Sequence, residues 1–229
     1  MTIFLAAAIL GQAKDFEPLI YPGSPVIKPV QAAKSQLADI ETDFHTVTGV
    51  ISDKTVKYSM VTLYKNRSPF ATDATLTLPV VMKGNNASFE GAWTVLWGDQ
   101  PVNPVGMIAG NSGGSRIREY TYKVSIPANG SKSLKSEVTV PIQKLGEGGM
   151  ERKIAYRVVP MPGLHRLSIS LKYDANNVFR VIKKNPGEWP WQVSNTGAYI
   201  QIDTPEMRFT EDMVFQWYRG GFDKVGDGG

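Results

Sequence analysis

Cysteine is absent from this chain of 229 residues. That absence excludes disulfides, thiolate metal ligands, a cysteine nucleophile and a lipid-modified cysteine behind an export signal. Histidine is almost absent too: His45 and His165 are the two present, far apart and without a ligand-spaced partner, so no transition-metal site is expected. Oxygen-ligand sites are equally poor, because Asp53, Asp73, Asp99 and Asp174 are isolated and no EF-hand-type loop occurs. No cofactor is expected. The 25 basic and 21 acidic residues leave a net charge of +4, and the densest basic cluster, Arg180, Lys183 and Lys184, forms no stripe with interleaved aromatics. Nucleic acid is therefore not an expected partner. No apolar run approaches the roughly 20 residues that cross a bilayer, so no integral membrane span is expected.

What is present begins at the N-terminus. An apolar run from Ile3 to Leu10 precedes Gly11-Gln12-Ala13, the small-x-small pattern of a cleavage site, and reads as an export signal over residues 1–13. A buried strand or helix is the alternative for that run. A secreted or periplasmic protein of this size without disulfides fits a bacterial envelope better than eukaryotic secretion. Residues 14–36 form a proline-rich extended lead-in, with Pro18, Pro22, Pro25 and Pro29 each removing a backbone donor. Ala32, Ala33, Leu37 and Ile40 have spacing compatible with a short helix. The remainder divides into a β domain over 37–219 and a glycine-rich tail over 220–229.

Within the β domain, period-two alternation recurs between turn residues. Phe44 to Ile51, Thr55 to Tyr64, Ala74 to Val80, Trp93 to Trp97, Tyr120 to Ile126 and Val138 to Ile142 read as strands, as do segments within 154–158, 167–173, 178–182, 199–202 and 213–218. This predicts an all-β fold, an antiparallel β-sandwich of about eleven strands with little helix. Asn129-Gly130 is expected to close a tight hairpin between Tyr120–Ile126 and the strand that follows. Leu167, Ile169, Leu171 and Tyr173 are expected to be dry, and Ser168, Ser170 and Lys172 wet.

Two motifs suggest chemistry. Gly110-Asn111-Ser112-Gly113-Gly114 satisfies the Gly-x-Ser-x-Gly pattern and resembles the segment around the nucleophile of trypsin-like serine proteases. Ser112 would need His45 or His165 as its base. A glycine loop between strands explains the same residues without chemistry. Trp189-Pro190-Trp191 holds two indoles in an extended segment, where they can form a stacking platform for a sugar or cap the core.

The stretch Val47 to Asn66, followed by Ala74-Thr-Leu-Thr-Leu-Pro79, resembles the opening of the vault and inter-alpha-trypsin-inhibitor (VIT) type β-sandwich and of related exported bacterial β proteins. The features that carry it are an initial strand pair, the aromatic-x-Asn turn Tyr64-Lys65-Asn66 and a strand reaching Pro79, joined by Val124-Ser-Ile-Pro-Ala-Asn-Gly-Ser131. The resemblance implies a non-catalytic sandwich used for interaction, with no catalytic residues. The leading expectation is thus an exported, non-catalytic protein with a binding or structural role at the cell envelope, its partner a protein or a glycan. A serine hydrolase using Ser112 and a glycan-binding module using Trp189 and Trp191 remain the alternatives. Mass spectrometry of the exported product is expected to find an N-terminus near Lys14, and full-length protein recovered only from cytoplasm would overturn export.

Overall fold

Alternation over Thr55–Asn66 puts Val56, Tyr58, Met60, Thr62 and Tyr64 on one face, and in the computed structural model all five are buried while Lys57 is exposed. The structure describes residues 17–30, 40–84, 86–146, 150–164, 166–172, 180–182, 192–195, 199–204 and 210–218. Among them are seventeen strands and no helix. They are β1 (Leu19–Pro22), β2 (Val26–Pro29), β3 (Ile40–Ile51), β4 (Thr55–Asn66), β5 (Thr72–Lys83), β6 (Thr94–Trp97), β7 (Gln100–Pro101), β8 (Gly106–Ser112) and β9 (Ser115–Ile126). There follow β10 (Ser131–Pro141), β11 (Gln143–Leu145), β12 (Glu151–Val158), β13 (Arg166–Lys172), β14 (Arg180–Ile182), β15 (Gln192–Asn195), β16 (Tyr199–Thr204) and β17 (Glu211–Tyr218). The strands beyond those read from alternation are β1, β2, β7, β8, β11 and β15. They are short or interrupted by proline and glycine, so they carry little period-two signal. Of the segment with helix-compatible spacing, Ile40 opens β3 and residues 31–39 lie outside the described residues.

One sheet has eight strands in the order β15-β16-β13-β3-β4-β10-β6-β7. Its β3–β13 pair is parallel, while the other strand pairs among the described residues are antiparallel. A second sheet runs β1-β5-β9-β8, with β2 also on β5, and a third runs β11-β12-β17-β14. All three contribute to one core cluster, which includes Val47 and Met60, Leu76 and Tyr122, and Tyr156 and Phe215. Trp93, Trp97 and Trp217 are buried in it. The second and third sheets meet at Gly23, whose N–H donates to the Pro79 carbonyl at 3.0 Å, while the next N–H, from Ser24, donates to the Arg157 carbonyl at 2.8 Å. Pro79 is tolerated in mid-strand because it falls where the β5 edge passes from β1 to β2. An N–H and a C=O of one residue point to the same side of an antiparallel strand, so the missing donor faces this break.

Asn129 does adopt the left-handed conformation its sequence suggests, at φ 47°. It does not close a hairpin. β9 pairs with β5 and β8, whereas β10 pairs with β4 and β6, so the turn carries the chain from one sheet to another. The β4–β5 connection makes the same crossing alongside it. Asn66, 2% exposed, clamps the two together. Its Nδ2 group faces the Phe70 carbonyl at 2.9 Å, Thr72 Oγ1 at 3.2 Å, and the Pro127 and Ile126 carbonyls at 3.1 and 3.3 Å, while its Oδ1 accepts from the Ser68 N–H at 3.0 Å.

Leu167, Ile169 and Leu171 are fully buried, as their alternation requires, and Lys172 is exposed. Ser168 departs from expectation: it is buried too, since β13 is an interior strand of a wide sheet. Tyr173 lies outside the described residues.

Removing the Asn66 amide strands buried carbonyls on both crossings. Asn66→Ala is expected to lower stability by at least about 2 kcal/mol in urea unfolding, and a loss within about 0.5 kcal/mol, typical of a neutral surface change, would show that the crossings hold without it.

Candidate binding pocket

Strand β3 changes phase once. Ile40 and Thr42 point inward, then the register against β4 shifts between Thr42 and Phe44, and His45 and Val47 point inward. This bulge at Asp43 lets both halves of β3 face the interior, as a regular strand could not. Thr42 pairs across the sheet with Tyr64, and His45 with Thr62.

Above Thr42 sits the turn from Met161 to Leu164. Pro162 sets the φ of its first corner and Gly163 supplies φ 69° at its second, the arrangement of a type II turn closed by Leu164 N–H to the Met161 carbonyl at 3.2 Å. The Thr42 N–H donates to the Pro162 carbonyl at 2.7 Å, docking the turn on β3. Any side chain at Gly163 would meet Glu41 Cβ at 2.7 Å. Between this turn and β2 lies a cavity of about 110 Å³. Pro25, Val26 and Ile27 form one wall, Pro160, Met161 and Pro162 another, and Ile40, Thr42 and Tyr64 the third.

The polar groups in this lining are few and neutral. Tyr64 is buried, its ring centroid 5.8 Å from that of Trp97, and its hydroxyl neighbours that of Thr62, whose oxygen can still accept a hydrogen bond while its proton is given to His45. Burial pushes the Tyr64 phenol well above its ordinary range, so it is un-ionised. Among the described residues, no carboxylate, lysine, arginine or histidine lines the cavity. It can hold an apolar body and one hydrogen-bonding group, but it offers no ionised acid, base or nucleophile.

His45 lies deeper, fully buried between the layers. Its Nδ1 is 2.8 Å from Thr62 Oγ1 and its Nε2 2.7 Å from Tyr156 Oη. Tyr156 in turn donates to Met60 Sδ at 3.4 Å. A proton on Nε2 satisfies the whole chain, with Thr62 donating to Nδ1 and Nε2 donating to Tyr156. Burial pushes the imidazole down from 6.5 to about 3, so it is neutral in the folded protein.

Ser112 is the last residue of β8. It is exposed, and Gly113 and Gly114, at φ 56° and 76°, form the two-residue turn of the β8–β9 hairpin. Both nitrogens of His45 are committed in the core, so His45 is not the base of Ser112. The Gly-x-Ser-x-Gly pattern here is turn chemistry. His165, Trp189 and Trp191 lie outside the described residues, and among the described residues no three His, Asp or Glu side chains gather as a metal site. Sequence reasoning missed the pocket. The signal it left is proline density at Pro25 and at Pro160-Met161-Pro162, but only the topology brings these segments together.

No protein-family model matches the sequence, and no curated protein matches it significantly. Among solved structures, the chain is similar to a Legionella pneumophila protein provisionally described as nutrient-binding, at 12% identity and a TM-score of 0.62, over 89% of this chain and 73% of that one. It also matches an M1 zinc metallopeptidase of Deinococcus radiodurans at 6% identity and a TM-score of 0.34, over 79% of this chain and 42% of that one. The first likeness is one of fold; the second is too distant to bear on either fold or function.

The pH dependence of stability follows from His45. The unfolded chain binds a proton below about pH 6.5 that the folded chain refuses until about pH 3. Stability is therefore expected to fall with falling pH across this window, by about 1.4 kcal/mol per pH unit. Urea unfolding of the parent and of His45→Gln from pH 7 to 4.5 checks it. The slope of the parent should exceed that of the variant by this amount, and parallel slopes would show that the buried imidazole already carries its proton.

Proposed function

We propose that this is a non-catalytic β-sandwich binding protein, exported to the cell envelope or beyond it, that holds a small and mostly apolar ligand in the pocket between β2, β3 and the Met161–Leu164 turn. The observation that carries the proposal is the lining itself: apolar on three walls, free of ionisable acids and bases other than Tyr64 among the described residues, with Thr42 and Tyr64 as its hydroxyl-bearing members. Such a site favours a mostly apolar, uncharged ligand with at most one polar group to set against a neutral hydroxyl, because burying further polar groups without partners is costly. The VIT-type resemblance belongs with this proposal, since it too implies a sandwich used for interaction. The fold likeness to a protein described as nutrient-binding adds a small nutrient molecule as the kind of ligand to try first.

Cyclohexanone, a compact apolar ring bearing a single carbonyl, is a suitable probe. Saturation-transfer NMR is expected to detect saturable binding to the parent protein, several-fold weaker binding to Tyr64→Phe and none to Met161→Trp, which fills the cavity. Binding that both variants leave unchanged, or no binding by the parent, would overturn the pocket as the site.

A further inference from the structure

Strand β8 ends its sheet, and all of its residues from Gly106 to Ser112 are exposed. The opposing stretch of β9, Arg116 to Thr121, is exposed or half-buried, between buried Ser115 and buried Tyr122. On its other side β9 is bonded to β5 from Thr77 to Met82, so the β8–β9 hairpin lies within the sandwich sheet, with β8 as its exposed margin. Its outer strand is nonetheless apolar: Met107 and Ile108 are 54% and 61% exposed. Free sheet edges are normally guarded by charge, proline or a bulge. β8 has none of these, for it contains no charged residue or proline and its register against β9 is unbroken.

The hairpin turn fixes which backbone groups are open. Ser112 and Ser115 flank a two-residue turn and so form a hydrogen-bonded pair. By alternation Met107, Ala109 and Asn111 direct their N–H and C=O groups away from β9. These groups suit an antiparallel strand, and β8 is its own complement. In a two-fold arrangement centred on Ala109, Ala109 faces Ala109 of a second copy, Met107 faces Asn111, and Ile108 faces Gly110. A side chain at Gly110 would meet nothing within 4 Å, so the space opposite Ile108 is free in both directions. With no charge on the strand, self-pairing brings no like charges together, and a charged peptide gains no selective attraction.

We infer that the protein forms a two-fold dimer by antiparallel β8–β8 pairing, a second copy of this chain extending the sheet across the hairpin arms. Such an interface is isologous, the same patch on both subunits, and it closes the assembly at two.

Sedimentation of the full chain over a range of concentrations tests the inference. The parent is expected to exchange between monomer and dimer. Ala109→Pro removes an N–H that points away from β9, leaving the hairpin ladder whole, and by symmetry it deletes two hydrogen bonds at the dimer centre. It should raise the dissociation constant at least about tenfold. Ala109→Lys should do the same by a separate route, because the two-fold sets the two ammonium groups directly opposite one another. Both variants should keep the near-ultraviolet circular dichroism and melting midpoint of the parent. Amide exchange at Met107, Ala109 and Asn111 should slow as parent concentration rises. A parent that is monomeric at every concentration, a dimer that both variants leave unchanged, or exchange at these three amides that ignores concentration would each overturn the inference.

Discussion

At Gly23 the Cβ of any other residue would lie 2.9 Å from the Pro79 ring and 3.1 Å from Arg157 Cβ, and the space left by the missing side chain is what lets β1, β5 and β12 meet. Much of the molecule leans on that approach. It joins the five-stranded and four-stranded sheets into a layer that packs against the eight-stranded one. On the outer side of the junction Leu19, Tyr21, Val81 and Ala155 form a second small apolar cluster. Beside it Asp212 accepts hydrogen bonds from Lys83 at 2.7 Å and from Arg157 at 2.7 and 3.1 Å, tying β5, β12 and β17 together. Burial alone would raise the Asp212 carboxyl, but its bonds to Arg157 and Lys83 outweigh this and hold it well below the usual carboxylate range. Pro25 and Val26, just downstream of Gly23, are a wall of the pocket, so the geometry of the site is inherited from the junction.

The interior of the sandwich is unusually polar for a core. His45, Thr62 and Tyr156 form a hydrogen-bonded chain between two sheets, and the Tyr58 hydroxyl donates to the Ala155 carbonyl at 2.9 Å nearby. Each such group must find a partner in a low-dielectric setting, which restricts how the sheets can be mutually placed. Charge is kept out of this region: the imidazole is held neutral and the phenols of Tyr58, Tyr64 and Tyr156 are all pushed up by burial. The pocket adjoins this chain through Tyr64, and so borders on hydroxyls rather than ions.

The all-β class was legible because the long strands alternate cleanly and because Gly, Asn and Pro mark the ends of segments. Strand parity also places Trp93 with Trp97 and Phe215 with Trp217, and all four are buried. Pairing was not. Asn129-Gly130 specifies backbone angles over a few residues, and those angles serve a crossing between sheets as well as a hairpin, so the partner of each strand is set by contacts distant in sequence. The bulge at Asp43 hid the inward face of β3, since Ile40 and Thr42 fall out of phase with His45 and Val47. The pocket was illegible for the same reason: residues near positions 25, 42, 64 and 161 share no local pattern. Ser112 is the converse case, a short motif whose residues satisfy a catalytic pattern and a two-residue turn alike.

The parallel pairing of β3 with β13 joins Phe44 to Arg166, and the bridge at Gly23 reaches Arg157. Segments early in this sequence thus wait for segments far downstream before their edges are satisfied. Contacts so far apart along the chain carry a large loop-closure cost and make for slow folding. The early hairpin of β3 and β4 can form promptly, but it must sit with β3 open on one side until β13 has been synthesised. During that interval β3 presents a row of unpaired backbone groups, the kind of edge that invites pairing with another chain.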